Sequence, residues 1–192
     1  MRVKCFLFKI ESERAGLPSG FFKFATMLKK SPNMGAGTVT VENDLRVLPI
    51  GKFLRKTKLN ELPQLINVVT GDLSLIGPRQ QTIRYFEAFP ACYSDTEASI
   101  KPGLSGLGSI ILRNEEELLG NTENSQGFYD NAIMPYKAEL ECWFVDNYSF
   151  RLFLCCIFST WEAILFKRST LLRFCYPSIP VLPRVLKDKG MR

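Results

Sequence analysis

The run Phe150–Phe166, FRLFLCCIFSTWEAILF, limits what this chain can become more than any other stretch. As a helix it is roughly 25 Å long, short of the about 30 Å hydrocarbon core of a bilayer. Arg151 and Glu162 interrupt it, and a spanning helix tolerates such charges poorly. Two readings remain. One is a buried core helix. The other, which we expect, is a helix lying in a membrane interface, with Phe150, Leu152, Phe153, Phe158 and Trp161 in contact with lipid and Lys167 and Arg168 near anionic head groups.

The rest of the 192 residues is long enough for one domain with a real hydrophobic core. The net charge is +6 and there is no histidine. That absence excludes Ser-His-Asp triads, histidine bases and histidine-held zinc or iron. Acid–base or metal chemistry must use carboxylates, and anions must be held by Lys, Arg or backbone amides. The six cysteines form no Cys-x-x-Cys pair, and Cys155 and Cys156 are adjacent in an apolar run. This pattern suits reduced thiols rather than a disulfide framework. The positive charge alone could suggest a nucleic-acid partner. The aromatic residues, however, fall in apolar runs rather than between Lys and Arg, so no nucleic acid is expected.

The patterning predicts an α+β domain of short strands and several helices over 1–168, with a C-terminal interfacial helix and a proline-rich, basic tail over 169–192, extended along the surface. Residues 3–10 and 21–27 read as two strands of a hairpin with a long loop between them. Residues 48–57 read as a helix, with Ile50, Phe53 and Leu54 at helical spacing. Residues 73–77 read as a buried strand. Residues 80–99 read as helical, broken by Pro90. Residues 101–113 read as a glycine-rich turn leading into a strand, and 114–120 as a short acidic helix. A long helix is expected from Phe128 to Tyr148, kinked or broken at Pro135.

The densest stretch is TKLNELPQLINVVTGDLSLIGPR, residues 57–79. Asn60 reads as the N-cap of a helix, with Pro63 in its first turn and Gly71 at its end. Leu62, Leu65, Ile66 and Val69 read as its buried stripe. Arg55, Lys56, Lys58 and Arg79 surround the carboxylate of Glu61 in sequence. A carboxylate among cations at a helix start suits a site for phosphate and a hard divalent cation. Taken alone, the pattern is more usually just a capped, solvated helix. Arg113 beside Glu115–Glu117 reads as a solvated helix start, with a secondary role in nucleotide or metal binding as the other reading.

FKFATM, then GKFLRKTKLNELPQLINVVTGDLSLIGPR, then KPGLSG, in that order, resemble the bacterial sugar transferases, the monotopic phosphoglycosyl transferases. The resemblance extends from about residue 3 to about residue 168. It implies transfer of a sugar 1-phosphate from a UDP-sugar to undecaprenyl phosphate, with release of UMP. It also implies Mg²⁺ as cofactor, membrane lipid as a partner, and a peripheral or monotopic place on the cytoplasmic face of the bacterial inner membrane. A homodimer is compatible with it. The family uses an Asp-Glu pair in which Asp is the nucleophile and Glu helps hold the metal. Carried over, the nucleophile position is Asn60, the metal ligand is Glu61 and the phosphate-binding arginine is Arg79, with Arg55, Lys56 and Lys101 as further anion contacts.

Three departures from the family pattern bear on activity. Asn60 stands where the family has Asp, and a carboxamide is a very poor nucleophile. The chain is then inactive, or uses another carboxylate (Glu61 or Asp72), or transfers directly between its two substrates. The resemblance also implies an apolar hairpin before the strand at residue 3, and the sequence starting almost at that strand reads as a fragment of a longer chain or a mis-called start. Gln80 and Ala25 replace a Pro and an Arg that are usual at those places.

Overall fold

The computed structural model describes residues 7–14, 17–28, 44–79, 100–122, 124–166 and 170–189. The expected helix over 80–99 lies outside them. The chain opens with β1 (Leu7–Arg14) and β2 (Leu17–Phe24), an antiparallel hairpin in the register Leu7↔Phe24 to Arg14↔Leu17. The turn is tighter than the sequence suggests, because Glu11–Arg14 and Leu17–Gly20 belong to the ladder. After β2, Met27 bridges Val47, and Gly51 of α1 (Pro49–Lys56) meets the backbone of Thr26 so closely that a Cβ there would lie 2.3 Å from its carbonyl oxygen.

Asn60 is not the helix cap that its sequence position suggests. Lys58, with φ +60°, starts a 3₁₀ turn over Leu59–Glu61, and α2 (Gln64–Val69) begins after Pro63. No side chain caps either element, and Asn60 Oδ1 is buried without a hydrogen-bond partner. The buried face of α2 is also the reverse of the expected one. Gln64 and Asn67 point inward, while Leu62, Leu65, Ile66 and Val69 are exposed, Val69 by 87%. The reason is a backbone demand. Asn67 Oδ1 accepts the amide of Phe22 at 3.1 Å and so docks α2 on the hairpin. The carbonyl of Asn67 takes the amides of Asp72 and Leu73 at the turn. Gly71, with φ +84°, ends the helix as expected.

β3 (Ser74–Ile76) pairs in parallel with β4 (Gly103–Ser105), Ser74 opposite Gly103 and Ile76 opposite Ser105. Glycine is required here by close backbone approach. A Cβ on Gly103 would sit 2.1 Å from the amide nitrogen of Gly77, and one on Gly77 would sit 2.4 Å from the carbonyl oxygen of Lys101. The stretch expected to be a strand after KPG is instead α3 (Leu107–Ile111). Its Leu107, Ile110 and Ile111 are spaced to bury one helical face, and that burial overrides the β-branched bias of the isoleucines.

The remaining elements among the described residues are helical: α4 (Glu115–Gly120), α5 (Ser125–Phe128), a π-turn over Tyr129–Ile133, α6 (Met134–Asp146), α7 (Phe150–Phe166), α8 (Thr170–Cys175) and α9 (Arg184–Asp188). The π-turn directly precedes Pro135, where an interruption was expected. The tail is not extended along the surface. Leu172, Ile179, Leu182 and Leu186 are buried in the same core as Leu107, Leu140, Phe144 and Leu152. Apolar residues between the prolines supply that anchorage, and Tyr136 Oη donates to the carbonyl of Pro180 at 3.0 Å.

α7 buries one stripe and exposes the other. Leu152 is fully buried, so it is no lipid contact, while Phe153 is half-buried, packed against the core and stacked on exposed Phe150. Phe150, Phe158, Trp161, Leu165 and Phe166 are exposed. The two charges in the helix have local partners. Glu162 accepts the amide of Leu171 at 3.0 Å and the hydroxyl of Thr170, both in the first turn of α8. The Arg151 guanidinium lies 6.0 Å from the ring of Tyr176. Among the described residues no helix is long and apolar enough to cross a membrane. The architecture is α+β: among the described residues, two two-stranded sheets stand beside a larger helical core.

Candidate active site

The 3₁₀ turn, the end of β3, the start of α3 and the middle of α7 converge on a cleft of about 190 Å³. Lys58, Glu61 and Leu62 come from the turn, Arg79 from beyond β3, Ser105, Ser109 and Arg113 from the β4–α3 segment, and Thr160 and Ile164 from α7. The left-handed backbone of Lys58 is a local strain for a residue with a side chain. It reverses the chain so that the residues after it turn into the cleft. Ser105 Oγ and Thr160 Oγ1 lie 3.3 Å apart and join the floor to α7.

Glu61 is the carboxylate of this cleft, and cations crowd it. Arg79 Nη2 donates to Glu61 Oε1 at 2.6 Å, and Lys23 Nζ lies 3.2 Å from the same oxygen. Burial alone would raise the carboxyl pKa. Arg79, Lys23 and Lys58 outweigh it and hold the group at about 2. The pKa values of the two lysines are lowered too, which for them disfavours the charged form. Burial lowers the pKa of Lys23 and of Lys58, and Arg79 lowers both further. Arg79 is held from its other side as well, donating from Nη1 to Ser109 Oγ at 3.3 Å and to the carbonyl of Leu104 at 3.5 Å. One carboxylate thus faces three cations, and the excess positive charge suits an anion carrying more than one negative charge.

The structure brings Glu61 and Arg79 together and leaves other expected contacts outside. Arg55 Nη2 is paired with Glu116 Oε1 at 3.1 Å, on the exposed side of α1. Lys56 and Lys101 are exposed, and neither lines the cleft. Their closeness in sequence to Glu61 or to Gly103 does not translate into a shared pocket: Lys56 lies on the exposed side of α1, and Lys101 Nζ lies by Gly71, 3.7 Å from where a Cβ would sit. Asp72, a possible substitute nucleophile in the sequence, is exposed and accepts from Thr70 Oγ1 at 2.7 Å. Asn60 does not line the cleft either. Arg113, which reads in sequence as a solvated helix start, does line it. Lys23 and Ser109 went unnoticed in sequence. A lysine flanked by phenylalanines on a strand was an available signal for the first, and nothing marked the second.

The sequence model of the bacterial sugar transferase family matches residues 7–167. Among characterised and uncharacterised relatives, the chain is 34% identical over 139 residues to the uncharacterized sugar transferase EpsL of Bacillus subtilis, covering 70% of this chain and 57% of that protein. It is 35% identical over 132 residues to the UDP-glucose:undecaprenyl-phosphate glucose-1-phosphate transferase of Escherichia coli, covering 67% and 27%. It is 30% identical over 152 residues to the UDP-N-acetylgalactosamine-undecaprenyl-phosphate N-acetylgalactosaminephosphotransferase of Aeromonas hydrophila, covering 75% and 31%. The chain therefore spans between about a quarter and somewhat over half of these relatives. With the match running across the hairpin, the Glu61–Arg79 cleft and α7, this chain belongs to the bacterial sugar transferase family.

Proposed function

We propose that this chain transfers a sugar 1-phosphate from a UDP-sugar to undecaprenyl phosphate. The observation that carries this reading is the Glu61–Arg79 pair inside a cleft with Lys23, Lys58 and Arg113 around it. A diphosphate needs several cations at once, and a bidentate guanidinium beside two ammonium groups meets that need. The names of the relatives in Escherichia coli and Aeromonas hydrophila supply the donor and acceptor classes.

Asn60 removes the acyl-phosphate route, since its carboxamide cannot attack phosphorus usefully. Transfer then runs directly. An oxygen of the acceptor phosphate forms a bond to the sugar-bearing phosphorus. The bond from that phosphorus to the bridging oxygen breaks, and UMP leaves with the electron pair. Arg79, Lys58 and Arg113 stabilise the charge that spreads over the phosphoryl oxygens.

Magnesium fits as a passenger of the diphosphate. Arg79 and Lys23 both engage Oε1 of Glu61, which leaves Oε2 as a ligand. One carboxylate oxygen with diphosphate oxygens is a donor set that Mg²⁺ accepts. Among the described residues no group of three or more acidic or sulfur side chains could hold a metal unaided. When bound, the ion would neutralise diphosphate charge.

The acceptor's lipid end suits the cleft walls. Leu62, Leu65 and Ile164 line it, and exposed Ile66, Val69, Trp161 and Leu165 continue the apolar surface on α2 and α7. We read this as the face that meets the membrane. A second reading, a sugar-nucleotide binder with little or no turnover, is favoured by the carboxamide at 60. UMP release from UDP-sugars and undecaprenyl phosphate, with wild type, Asn60→Asp and Glu61→Gln, separates the two. Turnover by wild type that is lost in Glu61→Gln supports direct transfer. A silent wild type awakened by Asn60→Asp supports the binder.

A further inference from the structure

Arg113 lines the cleft, and among the described residues it has no ion pair and no side-chain hydrogen bond. The sequence around it suggests otherwise, because Glu115, Glu116 and Glu117 follow at once. The turn between α3 and α4 is tight: the Glu115 amide donates to the carbonyl of Leu112 at 3.1 Å, with Arg113 and Asn114 between them. Two residues span at most about 7 Å of backbone, so the side chains of Glu115 and Arg113 are long enough to meet. The acids suit the N-terminal turn of α4. Each is also a rival to an anionic ligand for the guanidinium.

Two cations from elsewhere in the fold take the nearer acids. Lys137 Nζ, from α6, lies 2.6 Å from Glu115 Oε2, and both side chains are mostly buried, 14% and 21% exposed. The lysine stem passes over the start of α3, with Cγ 3.6 Å from where a Cβ on Gly108 would sit. Its ammonium lies 5.0 Å from the centre of the Tyr129 ring and 3.4 Å from the Tyr129 hydroxyl. Burial alone would lower the pKa of Lys137, but Glu115 and Tyr129 outweigh it and raise the value, so the charge is kept. Arg55 Nη2 holds Glu116 Oε1 at 3.1 Å in the same way on the exposed side. An exposed pair contributes little, so the weight falls on Lys137.

We propose that Lys137 is a positioning residue: by holding Glu115, it keeps the guanidinium of Arg113 unpaired and open to an anion in the cleft. The role deepens the diphosphate reading of the cleft and rests on it for its purpose. The first half of its test needs no ligand.

The test asks whether Glu115, once released, captures Arg113. Wild type, Lys137→Met, Glu115→Gln and the double variant are compared, each checked for folding by thermal melting. Methionine keeps most of the lysine stem and removes its charge. Labelling of Arg113 by phenylglyoxal is followed by peptide mass spectrometry. Lys137→Met should be labelled there roughly tenfold more slowly, because a carboxylate beside a guanidinium raises its pKa on the order of one unit. The double variant has no acid to release and should return to the wild-type rate, which Glu115→Gln should also show. Affinity for inorganic pyrophosphate at low salt should follow the same order, with roughly tenfold weaker binding by Lys137→Met alone. In an Arg113→Ala background Lys137→Met should cost no further affinity, as coupling through Arg113 requires.

A pair that merely braces the fold would leave the double variant as impaired as Lys137→Met, and that outcome overturns the proposal. An unchanged labelling rate in folded Lys137→Met does the same. Should Lys137→Met not fold, Lys137→Gln takes its place, and slower labelling of Glu115→Gln overturns the proposal by itself. If wild type binds no pyrophosphate, the diphosphate reading falls instead, and the labelling rates still decide the role of Lys137.

Discussion

Arg79 Nη2 and Glu61 Oε1 meet at 2.6 Å although eighteen residues separate them in the chain. The pair joins the 3₁₀ turn to the end of β3, and it sets the charge of the cleft. A guanidinium can hold Glu61 and a phosphate oxygen together because its donors lie in a fixed fork. An ammonium cannot. Arg79→Lys is therefore expected to lower UMP release on the order of 100-fold, with the loss in turnover exceeding the loss in donor affinity. Equal turnover in this variant would remove Arg79 from the chemistry.

Acid stability should carry the mark of the same pair. Glu61 titrates at about 2 in the folded chain against 4.5 for a free glutamate. A depressed carboxyl favours the fold above pH 4.5, and this contribution is lost as pH falls from there towards 2. The shift corresponds to on the order of 3 kcal/mol. Glu141 acts in the opposite sense: its folded value of about 7 exceeds 4.5, so its support for the fold is full at low pH and is lost as pH rises through 7. Denaturant titrations between pH 2.5 and 8 should show Glu61→Gln losing most of the acid-side slope. Parallel curves for the variant and wild type would contradict the ion-pair account.

The two glycines at the β3–β4 contact, Gly77 and Gly103, should be far less replaceable than the one that ends α2. A Cβ on Gly103 would meet backbone atoms of Gly77 at 2.1 and 2.6 Å, and backbone cannot move aside cheaply. Gly103→Ala is expected to cost roughly 3 kcal/mol or more. Gly71 has a left-handed backbone, but the nearest atom to its Cβ is the flexible Lys101 Nζ at 3.7 Å. Gly71→Ala should then cost only about 1 kcal/mol. Melting temperatures of the two variants test the order, and a reversed order would mean the sheet contact is looser than described.

The sequence carried the segments whose signals are local. The extent of α7, the left-handed stop at Gly71, the acidic helix α4 and the interruption before Pro135 all follow from periodicity or from backbone chemistry. What it could not carry was direction. The apolar stripe of α2 looks like a core face, yet Asn67 is needed inward to receive the Phe22 amide from a strand forty-five residues away. Asn60 has the chemistry of a cap, but Lys58 reverses the chain before it, so the cap position is lost. The same limit holds for the site. Glu61 and Arg79 were legible from their motif, whereas Lys23 and Ser109 reach them only through long-range packing. Arg55 and Lys56 were adjacent in sequence and face away.

The two stripes of α7 make opposite predictions. Leu152 is fully buried among the core residues, and Leu152→Ala should destabilise the fold by about 2–5 kcal/mol while leaving the exposed face unchanged. Phe158 and Trp161 are 60% and 61% exposed, so serine at both positions should change stability little. If this face meets lipid, the double variant should bind anionic vesicles at least tenfold more weakly, because each large apolar side chain withdrawn from an interface forfeits roughly 1.5–3 kcal/mol at full burial. Co-sedimentation with vesicles of phosphatidylglycerol and phosphatidylethanolamine measures this directly. Undiminished binding by the double variant would move the lipid contact away from α7, towards the exposed apolar residues of α1 and α2.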